Sequence, residues 1–140
     1  QPYGEDSVVS GQLMDWGGMY IKILGDIQDG TWTNEDVWWL AKEGAAILGG
    51  NETDPINPKF VDDLKQAMIN TEEYGEMSAY DLVMKRYDQM KQGVDVFDPF
   101  TGPIYDNKGN LQIPAGERAS KDDLLSIMYY VDNVEGTIPQ

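Results

Sequence analysis

The chain of 140 residues contains no cysteine and no histidine. Their absence excludes a Cys or His nucleophile–base pair, a Cys/His zinc site and a histidine pH switch. It leaves the redox compartment open, because exported bacterial proteins lack disulfides as often as cytosolic ones. Basic residues are scarce as well: ten, eight of them lysine, stand against 25 acidic ones, for a formal charge of −15. Such a charge repels phosphate backbones and anionic lipid, so no nucleic-acid partner is expected. No run of about 18 apolar residues and no charged-then-apolar leader occurs, which excludes a helical membrane span and an uncleaved signal in these residues. There is no GxSxG elbow, P-loop or GxGxxG, and Gly17-Gly18 alone is too little to cradle a phosphate. Neither a cofactor nor a catalytic residue is expected.

What is present is enough apolar sequence, 41%, to bury a core for one domain. The first residue is Gln1, and further sequence upstream is expected. Residues 7–14 (SVVSGQLM) read as a buried strand. Met19, Tyr20, Ile23, Leu24 and Ile27 then predict an amphipathic helix with one buried face, stopped at Asp29-Gly30. The runs 37–40 (VWWL) and 45–48 (AAIL) predict two short strands, the second also open to a helical reading. Residues 51–57 form a polar loop. Asn57-Pro58 opens a helix with an apolar stripe of Phe60, Val61, Leu64, Ala67 and Met68. Ser78, with Asp81 three residues on, starts a neighbouring helix through Leu82, Val83, Tyr87 and Met90 to Gly93. Residues 97–114 read as a hairpin, turning between Ile104 and Leu111. Ser120 caps a last helix carrying Leu124, Ile127, Met128 and Val131 inward, ended by Gly136 and Pro139. The class is mixed α and β, with no repeat and no linker dividing the chain.

Few residues stand out as chemistry. Asp106, Asn110 and Glu117 occupy the first, fifth and twelfth places of an EF-hand-like loop. Lys108 stands where a ligand oxygen is needed, Leu111 replaces the turn glycine and Pro114 lies mid-loop, so a hairpin turn is the reading and no metal is expected. Asp122-Asp123 and Asp62-Asp63 could pose as acid–base pairs, but acids in a first helical turn are explained by the helix dipole. Asn51-Glu52-Thr53 is a sequon read as loop. The aromatic residues carry more. Trp16, Trp32, Trp38 and Trp39 gather in the first third, and Trp16 follows Asp15 at a strand-to-helix junction. There an aromatic face can stack on a planar ligand and a carboxylate can accept its hydrogen bonds, which makes Asp15 and Trp16 candidate ligand residues. Trp38 and Trp39 point to opposite faces if strand-borne.

WGGMY at 16–20, DGTW at 29–32, FTGPIYDNKGNLQIPAGE at 100–117 and SKDDLLSIMYYVDNVEG at 120–136 occur in that order. Together they resemble the basic membrane protein (BMP) family, the purine-nucleoside-binding-type substrate-binding lipoproteins of ABC importers. The resemblance implies an α/β, two-lobed periplasmic-binding-protein fold of type I, of which residues 1–140 would be the carboxy-terminal portion. It implies a purine base or nucleoside held between lobes, an ABC permease as partner, and a lipid-anchoring amino-terminal portion outside this chain. It further implies an extracytoplasmic location and places Met14, Asp15 and Trp16 near the interlobe cleft. Nucleoside-binding members often carry a lysine where this strand ends Leu13-Met14-Asp15, which leaves a free base or another small solute open. The alternative is a non-catalytic structural or surface-assembly subunit that reuses the fold.

Overall fold

The computed structural model describes residues 6–50 and 54–138, which fall into two compact units divided after Phe97. The first contains β1 (Gln12–Met14), α1 (Gly17–Asp29), β2 (Ala46–Leu48), α2 (Pro58–Gln66), β3 (Met68–Thr71), β4 (Gly75–Ser78) and α3 (Ala79–Gln92). The second contains β5 (Ile104–Tyr105), β6 (Leu111–Ile113) and α4 (Lys121–Leu125). The mixed α and β class is as expected, with the strands paired as three antiparallel ribbons, β1–β2, β3–β4 and β5–β6.

In the first unit Leu13 pairs with Ile47, and backbone bonds from Asp15 to Ala45 (2.9 Å) and from Gly49 to Gly11 (2.9 Å) extend the β1–β2 ribbon at both ends. The strand expected over 7–14 is shorter, and it is exposed rather than buried. It has one partner strand, so Leu13 and Met14 remain more than two-fifths exposed. The helix expected next forms as α1, and Gly30 ends it at φ 70°, the left-handed conformation that glycine adopts without Cβ strain. Its apolar face, however, is only partly covered. Met19 and Ile23 are half-buried, while Tyr20, Leu24 and Ile27 are exposed.

Residues 37–40 form no strand. Leu40 N–H donates to the Glu43 carboxylate (2.8 Å) and its carbonyl accepts from Ala45 N–H (3.1 Å), so a turn takes the groups a ladder would need. The run 45–48 is a strand, β2. Asn57 caps α2 as expected, its side chain accepting from Lys59 N–H (3.1 Å), with Pro58 in the first turn. Asn51, Glu52 and Thr53, the sequon, lie outside the described residues. The stripe drawn through Ala67 and Met68 runs past the end of α2. Ala67 is already extended, and 68–78 turn back as a β3–β4 hairpin. Asp62 and Asp63 consequently sit beyond the first turn, unlike the reading given them. Ser78 Oγ accepts from Asp81 N–H (3.0 Å) at the start of α3, which stops at Gly93, and α2 and α3 pack together as neighbours.

In the second unit the predicted hairpin is present as β5–β6. The last helix is much shorter than its apolar spacing suggests. Ser120 and Asp123 form a complete capping box, but α4 ends at Leu125, where Ser126 Oγ donates back to the Asp122 carbonyl (2.6 Å). Residues beyond it are claimed by the hairpin: Asn107 N–H donates to Tyr130 O (2.8 Å) and Asp132 N–H to Tyr105 O (3.1 Å). Of the residues expected to face inward, Leu124 is half-buried while Ile127, Met128 and Val131 are exposed, so most of that face is uncovered, and Pro139 lies outside the described residues.

Buried apolar residues are few among those described: Ala41, Ala45 and Ile56 in the first unit, Ile113 and Ala119 in the second. No described helix has a buried residue, and none is long and apolar enough to cross a membrane.

Candidate functional site

Met14 closes β1 and Gly17 opens α1, so the three residues singled out in sequence occupy one tight corner. Asp15 N–H is fixed by the Ala45 carbonyl, and Asp15 Oδ1 accepts from Gly17 N–H (2.9 Å) at the start of the helix. That bond satisfies one amide left over by the helix geometry and gives the carboxylate a fixed aim. Trp16 is the N-cap residue; its carbonyl accepts from Tyr20 N–H (3.0 Å) and its side chain makes no capping bond. Trp16 is 47% exposed, and Met14 and Asp15 are exposed beside it. The corner thus presents an aromatic face, a carboxylate and a thioether to solvent.

Two clefts lie elsewhere, and neither includes Met14, Asp15 or Trp16. One, of about 590 Å³, lies between α1 and the segment that follows it. The turn at Gly30 builds it: Thr31 and Trp32 N–H both donate to Asp26 O (2.8 and 3.1 Å), which returns the chain along the helix. Trp32 and Trp39 then form one wall, and Met19, Lys22, Ile23 and Asp26 the other. Sequence reading noted these tryptophans but missed the cleft, because residues 37–40 are not a strand. Its signal was the DGTW turn, which must reverse the chain after a helix.

The other cleft, of about 600 Å³, lies in the second unit between the β5–β6 turn and residues 126–138. Its two carboxylates are engaged. Asp106 Oδ1 accepts from Lys108 N–H (2.9 Å) and Asn110 N–H (2.8 Å), and Oδ2 from Asn110 Nδ2 (2.9 Å) and Gln112 Nε2 (3.0 Å). These bonds, the Asn110 side chain's first among them, hold the Asp106 carboxyl below the usual carboxylate range. The hairpin reading of residues 106–110 is therefore correct, and its carboxylate ties the turn. Asp123 is likewise held below the ordinary range, first by the Ser120 hydroxyl and then by the Ser120 N–H. Asp122 and Asp123 do lie in the first turn of α4, as the dipole explanation requires. Among the described residues no group of three or more acidic side chains is placed to hold a metal ion.

No family model matches the chain. It is similar to a purine-binding protein of Brucella abortus. The two are 29% identical over 138 residues, which is 99% of this chain and 33% of that protein. This chain thus spans about a third of the length of the curated relative it matches. That relative is named for binding rather than for catalysis.

Proposed function

We propose that this chain is the carboxy-terminal portion of a BMP-type solute-binding component of an ABC importer. In this reading the complete protein is extracytoplasmic, holds a purine base or nucleoside between two lobes and delivers it to a permease. The observation that carries it is the similarity to a purine-binding protein along 99% of these residues. The ordered motifs from Trp16 to Gly136 support the family, and the mixed α and β architecture accords with part of a type I binding-protein fold.

Met14, Asp15 and Trp16 are the contacts we assign to the ligand. A purine is flat and carries N–H donors, so an exposed indole suits its face and a carboxylate its edge. Only Oδ1 of Asp15 is engaged among the described residues, which leaves Oδ2 to accept from the ligand. Titration of the full-length gene product with adenine, guanosine and inosine, read by tryptophan fluorescence, tests this. A saturable change is expected for at least one of them, weakened roughly tenfold by Asp15→Asn through loss of a charge-assisted bond. No saturable response to any of the three would remove the purine assignment.

A further inference from the structure

The cleft between α1 and residues 31–39 has a chemistry distinct from the Asp15 corner. Trp32 is 54% exposed, although burial is the usual fate of so large an apolar ring. Trp39 is half-buried against the helix at a point where Gly18 provides room, its Cζ3 being 3.6 Å from where a Cβ would stand. Both indoles line the same space. The charged lining is three carboxylates, Asp26, Glu35 and Asp36, against one lysine, Lys22, which is ion-paired to Asp26. Indole faces carry negative electrostatic potential and are the best of the aromatic side chains at attracting cations. Aromatic walls and net negative lining therefore favour the same ligand, a flat ring with positive charge, and disfavour anions.

The second cleft lacks this chemistry, because its carboxylates are tied into the β5–β6 turn and the α4 cap. The volume of the first, about 590 Å³, lies within the range that small-molecule sites occupy.

We propose that the Trp32–Trp39 cleft is a binding site for small planar organic cations, with the ring against the indoles and its charge facing Glu35. The site is separate from the purine contact assigned to Asp15 and Trp16, and it does not depend on that assignment.

Equilibrium dialysis of the chain against 1-methylquinolinium, read by the probe's own absorbance in mildly alkaline buffer, is the test. Quinoline, equally flat and uncharged there, serves as the comparison ligand. Saturable binding of the cation is expected, with quinoline bound roughly tenfold more weakly for want of the cation–π attraction. Trp32→Ala and Glu35→Gln should each weaken the cation by roughly threefold or more. Asp62→Asn, which removes the same charge from α2 away from the cleft, should leave it unchanged, separating a site from general attraction to an acidic protein. Circular dichroism checks that the variants keep the parent fold. The proposal is overturned by absent or unsaturable binding, by quinoline binding as tightly as the cation, or by Glu35→Gln and Asp62→Asn acting alike. Retention of parent affinity in Trp32→Ala overturns it equally.

Discussion

Two hairpins in this chain close by opposite means. The β3–β4 hairpin turns over Glu72, Glu73 and Tyr74 with Gly75 at φ 70°, and its internal side-chain ties among the described residues are those of Thr71, whose Oγ accepts from Tyr74 N–H (3.0 Å) and donates to Gly75 O (3.3 Å), and a bond from the Tyr74 hydroxyl to the Glu73 carboxylate at its exposed tip. Its outer side chains lean on α3: Arg86 and Lys85 lie over the Tyr74 ring, at 5.1 and 4.3 Å from its centroid. The β5–β6 hairpin is tied from inside, by one buried carboxylate accepting four hydrogen bonds. The first is stable as part of a helix–hairpin unit, whereas the second carries its own fastening. Each should therefore fail under a different substitution.

The largest effect is expected at Gly102, beside the second hairpin. A Cβ there would stand 2.1 Å from Pro114 O and 2.5 Å from Ile113 O, backbone atoms that cannot swing aside. Gly102 is also fixed in place, donating to Glu117 O (2.8 Å) and accepting from Gly116 N–H (3.2 Å). Gly102→Ala should cost about 3 kcal/mol in the second unit, the upper range for overpacking. Amide exchange at Ile113 should accelerate while exchange at Ile69 and Met77 stays as in the parent; equal acceleration at all three would show the two hairpins to be one cooperative unit.

Asp106→Asn comes next. An amide has one acceptor oxygen and turns a donor toward groups that are themselves donors, so part of the four-bond set must be lost. Exchange at Lys108 and Asn110 should rise roughly tenfold. The pH response gives a second test. The folded Asp106 pKa is depressed, so its contribution is fully present above the unfolded value of about 4 and is lost as pH falls through the folded value. Acid titration followed by the Asn110 amide resonance should show that loss in the parent and not in Asp106→Asn.

The same pair of hairpins explains what could be read from sequence. The second carries Asp106, Asn107, Gly109 and Asn110 between two apolar runs, a local turn signal that survives any context. The first lacks such punctuation, because Ala67 and Met68 extend the helical spacing of Phe60, Val61 and Leu64 across the boundary. Only β-branched Ile69 and Thr71 and the Tyr74-Gly75 turn hinted otherwise. Caps at Asn57, Ser78 and Ser120 and the stop at Gly30 were legible, since each is a bond between near neighbours. The length of α4 was not, because hairpin backbone at Tyr105 and Asn107 competes for Asp132 and Tyr130 from far back in the chain. For the candidate site, the Asp15-Trp16 corner could be placed from its motif. The Trp32–Trp39 cleft could not, as it depends on the irregular path of residues 31–39.

The smallest effect, and the finest test of the difference between the hairpins, is expected at Arg86. Its Nη2 donates to Glu73 Oε2 (2.6 Å), and Nη1 donates to Tyr74 Oη (3.1 Å) and Gln89 Oε1 (3.0 Å), with the Phe97 ring centroid 4.3 Å away. The ion pair is partly exposed and screened by water, so most of what Arg86→Ala removes is guanidinium packing on two rings; about 1 kcal/mol is expected in urea unfolding. Arg86→Lys should recover less than half of it, because an ammonium has no planar fork to reach Glu73, Tyr74 and Gln89 together. Glu73 reports the same contact independently. Its carboxyl is held below the ordinary range first by the Tyr74 hydroxyl and second by Arg86, so Arg86→Ala should raise its pKa only part of the way back. A full return would mean that the Tyr74 hydroxyl bond itself depends on Arg86, leaving the first hairpin only its Thr71 ties apart from α3.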